Sequence, residues 1–288
     1  RSIRRILFHY VENILSGMME VVRQEKRMNK ILRMIKEIKS FAIGNNLYAD
    51  IGNAQTIGTR EKQDDSFGTC IKPYGVQAIV ADGIGGYVNG KLASQITVET
   101  FLDEFDKRDV TDNLSYFFQK TAILSNERIR DEFGETKGGT TVVSVVLKDD
   151  KMFWTSVGDS NIAVFRKDRL IMVNRKENVK NWLENQYYAG YARREEVLDG
   201  KSDKRLVNYL GYDGFRKADE GDRPILLKKK DRVLLYSDGV EILGQIGLEN
   251  ILKKRMSAQK MADAIIQSVV TSKKIKKDNA TIVVLKIK

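Results

Sequence analysis

Residues 80–94, VADGIGGYVNGKLAS, support two architectures that exclude each other. Gly85–Lys91 reads G-x-x-x-x-G-K and follows the apolar run Val76–Val80, the order of a strand feeding a phosphate-cradling P-loop. That reading makes the chain a nucleotide-binding module on βαβ crossovers and a parallel sheet. The same stretch opens with Asp82 at the end of the apparent strand and continues Gly-Ile-Gly-Gly. Here the aspartate is the functional element and its ligand is a metal.

The surroundings decide between them. RVLLYSD (232–238) is an apolar strand ending in Asp and passes for the acidic strand of a P-loop enzyme. Leu92, however, stands where a P-loop needs a Ser or Thr hydroxyl for magnesium. Strand-like runs at Asn53–Gly58, Asp65–Cys70 and Val76–Ala81 precede two helices at 88–107 and 113–132. Leu114, Phe117, Phe118, Ile123 and Leu124 mark the apolar stripe of the second helix. Thr140–Leu147, Met152–Val157, Ile162–Arg166 and Arg169–Val173 then follow with tight turns, the pattern of a β-meander. Residues 175–222 are polar, aromatic and irregular, with helical pieces near 177–186 and 193–199. Strands at Arg232–Tyr236 and Ala280–Ile287 flank a helix around 257–271. This order predicts antiparallel sheets with helices packed outside, an α+β fold.

Composition narrows the chemistry. With 288 residues, 42% of them apolar, the chain can bury one large core or two small ones, and two prolines leave little room for a disordered reading. The apolar runs are far short of a membrane span. The chain begins with Arg and carries no secretory pattern, so an upstream segment is expected. One cysteine, Cys70, excludes an internal disulfide and fits a reducing, cytoplasmic compartment. A Cys-based phosphatase would need Arg six positions on, where Val76 stands. His9 is the only histidine, which removes a Ser-His-Asp triad and a multi-His zinc site from the main domain. Carboxylates, Arg, Lys, hydroxyls and metals must do the work.

The net charge of +11 is uneven. Residues 1–40 carry ten Lys/Arg against four Asp/Glu (+6), and residues 251–288 carry ten against two (+8). Residues 41–250 sum to −3. Basic ends around an acidic middle do not describe a nucleic-acid binder, and the acidic middle is where a cation site belongs.

Acidic clusters recur at turn-forming positions. Asp64–Asp65 sit in TREKQDDS, Asp82 in VADGIGG, Asp159 in SVGDSN, Asp238 in LYSDGV and Asp278 in KKDNAT. Asp before Gly is by itself a common turn signal. Strand ends of layered sheets converge on one edge, however, where dispersed carboxylates form the oxygen-rich set that Mg²⁺ and Mn²⁺ prefer. A glycine beside such a ligand lets a backbone oxygen approach the ion. The leading expectation is a carboxylate-bound dinuclear metal centre.

TREKQDD, VADGIGG, KGGTT, SVGDSN, LYSDGV and KDNATIVVL, in this order over residues 50–288, resemble the metal-dependent serine/threonine protein phosphatases, the protein phosphatase 2C family. The resemblance implies a four-layer α-β-β-α sandwich of two antiparallel sheets between helices. It implies two Mn²⁺ or Mg²⁺ ions and a weaker third. Asp82 resembles the bridging aspartate and Gly83 the glycine that offers its carbonyl. Asp238 and Asp278 resemble the remaining ligands of the second metal, and Asp159 a ligand of the third. Asp64 resembles the acidic residue that holds a metal-bound water, and Arg60 the arginine that binds substrate phosphate. A surface ion pair of Arg60 with Glu61 or Asp64 is the duller alternative. Gly138, Gly139 and Thr140 are expected to shape a tight strand start.

Ile84 stands where many members carry His, and Ser66–Phe67 occupy the neighbourhood of another histidine. Bacterial members commonly lack both, so the resemblance is to the bacterial type, with water as proton source. A non-catalytic phosphatase-like scaffold would have lost metal ligands, and none is missing. The implied substrate is a phosphorylated protein, the target of a partner Ser/Thr kinase. Residues 175–222 would form a flap whose Trp182, Tyr187, Tyr188 and Tyr191 either read peptide or pack the flap onto the body.

Outside the resemblance, residues 3–38 read as one long helix within an N-terminal unit at 1–45, ahead of a phosphatase domain at 46–288. Leu7, Ile14, Val21, Met28 and Ile35 recur every seventh residue, with Tyr10, Ile31 and Ile38 in the second seam. The stripe must pack on the domain, pair with a second copy as a homodimer, or continue a helix of an upstream domain. Its basic face (Arg4, Arg5, Arg23, Lys26, Arg27, Lys30) would suit the cytoplasmic face of an anionic membrane if an upstream anchor exists. A regulatory helix is the expectation.

Overall fold

The computed structural model describes residues 38–288 apart from 45, 85–88, 108–112, 135, 137 and 201–202. The N-terminal heptad stripe and His9 therefore lie outside the described residues.

Two six-stranded sheets stack face to face. The first runs in the order β1 (Ile38–Ala42), β2 (Tyr48–Thr56), β12 (Ala280–Ile287), β11 (Arg232–Tyr236), β7 (Asn161–Arg166), β8 (Arg169–Met172). The second runs β10 (Ile225–Leu226), β6 (Lys151–Val157), β5 (Val142–Lys148), β4 (Gly75–Asp82), β3 (Asp65–Lys72), with β9 (Asp219–Glu220) also paired to β6. Every pairing between these strands is antiparallel.

Between the sheets lies one core, where Ile51, Val233, Val283 and Leu285 meet Phe67, Val76, Val143 and Val145. On the outer face of the first sheet, Leu234, Ile282 and Val284 pack against α5 (Gly244–Leu252) and α6 (Ala258–Val270). On the outer face of the second, Ile79, Val142 and Val146 pack against α1 (Gly90–Asp106) and α2 (Leu114–Phe133). Both faces of each sheet are thus covered. That is why β4 and β5 are buried along nearly their whole length and carry apolar residues on both faces instead of alternating. In α1, Ala93, Thr97, Phe101 and Phe105 recur every fourth residue and form the buried face. The Asn113 carboxamide caps α2 by accepting from the Tyr116 N–H.

Four sequence expectations change. Ile38, read as the last residue of a long helix, belongs to a strand, because Ile38–Ala42 pairs with β2 and extends the sheet to 38 instead of 46. Ile123 does not belong to the buried stripe of α2. It is 42% exposed, and Thr121, Ala122, Ser125 and Ile129 complete the stripe begun by Leu114, Phe117 and Phe118. The four-strand meander is two hairpins in different sheets, β5–β6 in one and β7–β8 in the other. The chain crosses between sheets at Gly158–Ser160, carrying Asp159 with it. Finally, Gly244–Leu252 is a helix that the sequence reading passed over.

Candidate metal centre

All seven sequence-nominated residues line one cleft of about 490 Å³: Arg60, Asp64, Asp82, Gly83, Asp159, Asp238 and Asp278. Both sheets supply them. Asp82 ends β4, Asp238 follows β11 at the start of a 3₁₀ turn (Asp238–Leu243), Asp278 precedes β12, and Asp159 stands at the crossing between the sheets.

Backbone approach explains the glycines. A Cβ on Gly83 would lie 2.3 Å from the Gly90 carbonyl oxygen and 2.7 Å from that of Asp64, so only glycine fits. A Cβ on Gly239 would meet the Asn279 carbonyl oxygen at 2.0 Å, which shows how tightly the Asp238 turn is pressed onto the Asp278–Asn279 segment. The Asp82 main chain is held from the KGGTT segment. Thr140 Oγ1 donates to the Asp82 carbonyl at 2.9 Å, the Thr141 N–H donates to the same oxygen, and the Asp82 N–H donates to Thr141 Oγ1. Gly139 accepts from the Ile84 N–H. Gly139, Thr140 and Thr141 thus hold the main chain of Asp82 and Ile84 in place just before β5 begins.

Two residues missed as site builders fix the rest. Asn279, 4% exposed, accepts from the Asp64 N–H at 2.8 Å and donates to the carbonyls of Ile57 and Lys62. It clips the loop carrying Arg60 and Asp64 to the start of β12. Asp65 is fully buried opposite Asp82, and its Oδ2 accepts from Ser237 Oγ (2.8 Å) and Thr281 Oγ1 (2.7 Å). Its Oδ1 has no hydrogen-bond partner among the described residues. The paired Asp64–Asp65 signal was visible in the sequence, but not which carboxylate faces the cleft.

Electrostatically the site asks for cations. Burial, then repulsion from Asp65, Asp238, Asp159 and Asp278, holds the Asp82 carboxyl well above its ordinary range. Burial raises Asp159 and Asp65 to about 6, and raises Asp238 as well. The basic groups present lean on the carboxylates. Arg60 Nη2 donates to Asp278 Oδ2 at 2.5 Å, and Lys204 Nζ to Asp238 Oδ2 at 3.3 Å. Arg60 therefore pairs with neither Glu61 nor Asp64, and it remains half exposed at the mouth. Among the described residues no three acidic, histidine or cysteine side chains are gathered closely enough to hold an ion as they stand. The donor set still fits one. It is all oxygen, mutually repelling and rimmed by a glycine with no room for a side chain, as Mg²⁺ or Mn²⁺ requires.

Lys91 of the P-loop-like stretch serves the fold. Its ammonium donates to the Asp65 carbonyl at 3.1 Å, and the strand before it has antiparallel neighbours on both sides. Ser66 Oγ bonds Ser94 Oγ (2.8 Å), so no acid faces the cleft from that position. In the flap, α3 (Val179–Tyr188) and α4 (Arg194–Asp199) bury no residue, and Trp182, Tyr187, Tyr188 and Tyr191 are all exposed.

Comparison with known proteins gives a consistent picture. A model of the protein phosphatase 2C family matches residues 54–278. The serine/threonine phosphatase stp of Listeria innocua is 25% identical over 196 residues, 65% of this chain and 76% of that protein. A putative protein phosphatase 2C-type of Streptococcus pyogenes is 28% identical over 167 residues, 56% of this chain and 66% of that protein. The S. agalactiae serine/threonine phosphatase superposes with a TM-score of 0.73 at 21% identity, over 83% of this chain and 99% of that one. The catalytic domain of the phosphatase PstP, solved with two manganese ions, gives 0.68 at 18%, over 84% and 99%.

Proposed function

This chain belongs to the protein phosphatase 2C family of metal-dependent serine/threonine phosphatases, and we propose that it hydrolyses phosphoserine and phosphothreonine esters in proteins at a pair of Mg²⁺ or Mn²⁺ ions. The observation that carries the reading is the convergence of Asp82, Asp159, Asp238 and Asp278 from separate strand ends on one cleft with Arg60 at its mouth.

Asp82, the Gly83 carbonyl, Asp238 and Asp278 would hold the two ions, and Asp159 would serve a weaker third. When bound, such ions lower the pKa of water for in-line attack and offset phosphate charge. Asp64 lines the same cleft, where its carboxylate would accept a hydrogen bond from a water and orient it. Arg60 offers two parallel N–H groups to the phosphoryl oxygens, and its exposure leaves it free to turn from Asp278 toward the ester. No histidine occurs in residues 38–288, so the departing alkoxide takes its proton from water. The flap, residues 175–222, would contact the protein substrate around the phosphorylated residue.

The test is hydrolysis of p-nitrophenyl phosphate and a phosphothreonine peptide with Mn²⁺, with Mg²⁺ and with EDTA. Turnover that requires the metal and vanishes in EDTA supports the reading. Hydrolysis indifferent to EDTA, or none with either metal, would reject it.

A further inference from the structure

A second groove of about 660 Å³ continues outward from the carboxylate cleft, sharing Arg60, Lys204, Asp238 and Asp278 with it. Its outer wall is the segment between α6 and β12, where KKIKKDNAT supplies Lys274, Lys276 and Lys277. The other charges of the groove are matched locally. Arg60 pairs with Asp278, Lys204 with Asp238, and Glu241 with Lys176. Lys274, Lys276 and Lys277 make no ion pair or side-chain hydrogen bond among the described residues. Lys274 and Lys276 are exposed and flank Ile275, which is 90% exposed.

The wall is anchored. The Thr59 N–H and Oγ1 both donate to the Lys277 carbonyl at 3.0 Å, and the Lys277 N–H donates back to Thr59 Oγ1 at 2.9 Å. Gly58, at φ +66°, lets this clip close, since a Cβ there would stand 2.2 Å from the Asp278 carbonyl oxygen. The backbone of Lys277, in the segment that carries Lys274 and Lys276, is thus tied to Thr59, the neighbour of Arg60.

We infer that this lysine shelf selects protein substrates whose phosphorylated Ser or Thr is followed or preceded by acidic side chains. The inference rests on the phosphatase reading and adds a substrate class to it. Three uncompensated cations beside the reacting phosphate favour carboxylates on one flank of the peptide and disfavour basic ones. Because the lysines are exposed, the preference weakens as salt rises past the point where the Debye length falls below about 10 Å.

The experiment compares three substrates with Mn²⁺: p-nitrophenyl phosphate, a phosphothreonine peptide flanked by three Glu, and the same peptide with Gln at those positions. The full chain is assayed beside its Lys274→Gln/Lys276→Gln/Lys277→Gln variant. The native chain should favour the Glu peptide about ten-fold in kcat/KM, through KM. The variant should lose that preference while hydrolysing p-nitrophenyl phosphate within two-fold of native, which also shows that it is folded. Equal kcat/KM of the native chain on both peptides overturns the shelf and leaves the phosphatase reading intact. A preference that survives in the variant overturns it too. Failure to hydrolyse any of the three removes the underlying reading, and this one with it.

Discussion

Asp82→Asn keeps the volume of the side chain and removes the charge that the cleft is built around. The expected result is a kcat at least about 100-fold lower at saturating Mn²⁺ with the far-UV circular dichroism unchanged, a larger loss than removing a merely orienting partner causes. An unchanged kcat would show that Asp82 holds no ion. Arg60→Ala removes a charged contact to the phosphate, and hydrogen bonds to charged groups are worth about 1.5–3 kcal/mol. KM for a phosphopeptide should therefore rise about ten- to a hundred-fold, with a smaller change in kcat. A constant KM would make Arg60 a partner of Asp278 and nothing more. The aspartates were legible because each ends or precedes an apolar run, a position that local sequence reveals. Asn279 and Lys204 were not, since their significance lies in Asp64 and Asp238, 215 and 34 residues away. Asp65 shows the same limit, because two adjacent carboxylates look alike until the strand's register turns one inward.

Single elements carry the next level of the design. One carboxamide, that of Asn279, serves the Asp64 N–H and the Ile57 and Lys62 carbonyls. It works beside the Thr59–Lys277 hydrogen bonds to hold the loop before β3 to the start of β12. Asn279→Ala leaves those groups without their partner and should cost about 1–3 kcal/mol in urea unfolding. It should also weaken Mn²⁺ activation while sparing the ligands themselves. Full stability with native metal response would make the clip incidental. Strand and helix positions were readable from apolar runs, and β11 and β12 carry the bounds the sequence suggested. The assignment of strands to sheets was not. Alternation and run length report how much of a strand is covered, not which neighbour covers it. The β5–β6 and β7–β8 hairpins therefore looked like one meander. Strand β1 was hidden for another reason, since a heptad stripe runs into it and a β-bulge interrupts its pairing.

At the scale of the whole molecule, crowded acids and fold stability are linked. Asp159 is raised to about 6 by burial and by Asp238, against an unfolded value of about 3.8. Between those values the folded chain binds more protons than the unfolded one. The stability this group contributes is present below about pH 4 and is lost as pH climbs through about 6. In EDTA, Asp159→Asn should therefore be more stable than native at pH 7.5, by about 1–3 kcal/mol, with the gain shrinking toward pH 4.5. Thermal melts at the two pH values decide it, and a gain that grows on acidification would contradict the sign. Added Mn²⁺ should raise the native melting temperature more at pH 7.5 than at pH 4.5, because it replaces protons at the same oxygens. The strand order has a consequence of another kind. β12, the last of the described strands in chain order, lies in the middle of its sheet, between β2 and β11. A ribosome releases β2 more than two hundred residues before that partner exists, so the early strands wait with a bare hydrogen-bonding edge. Closing the gap joins segments more than two hundred residues apart, the slow kind of step that high contact order imposes. Because Asp278 and Asn279 arrive with that strand, a half-made chain has no finished cleft, and catalytic competence comes only with the closing of the sheet.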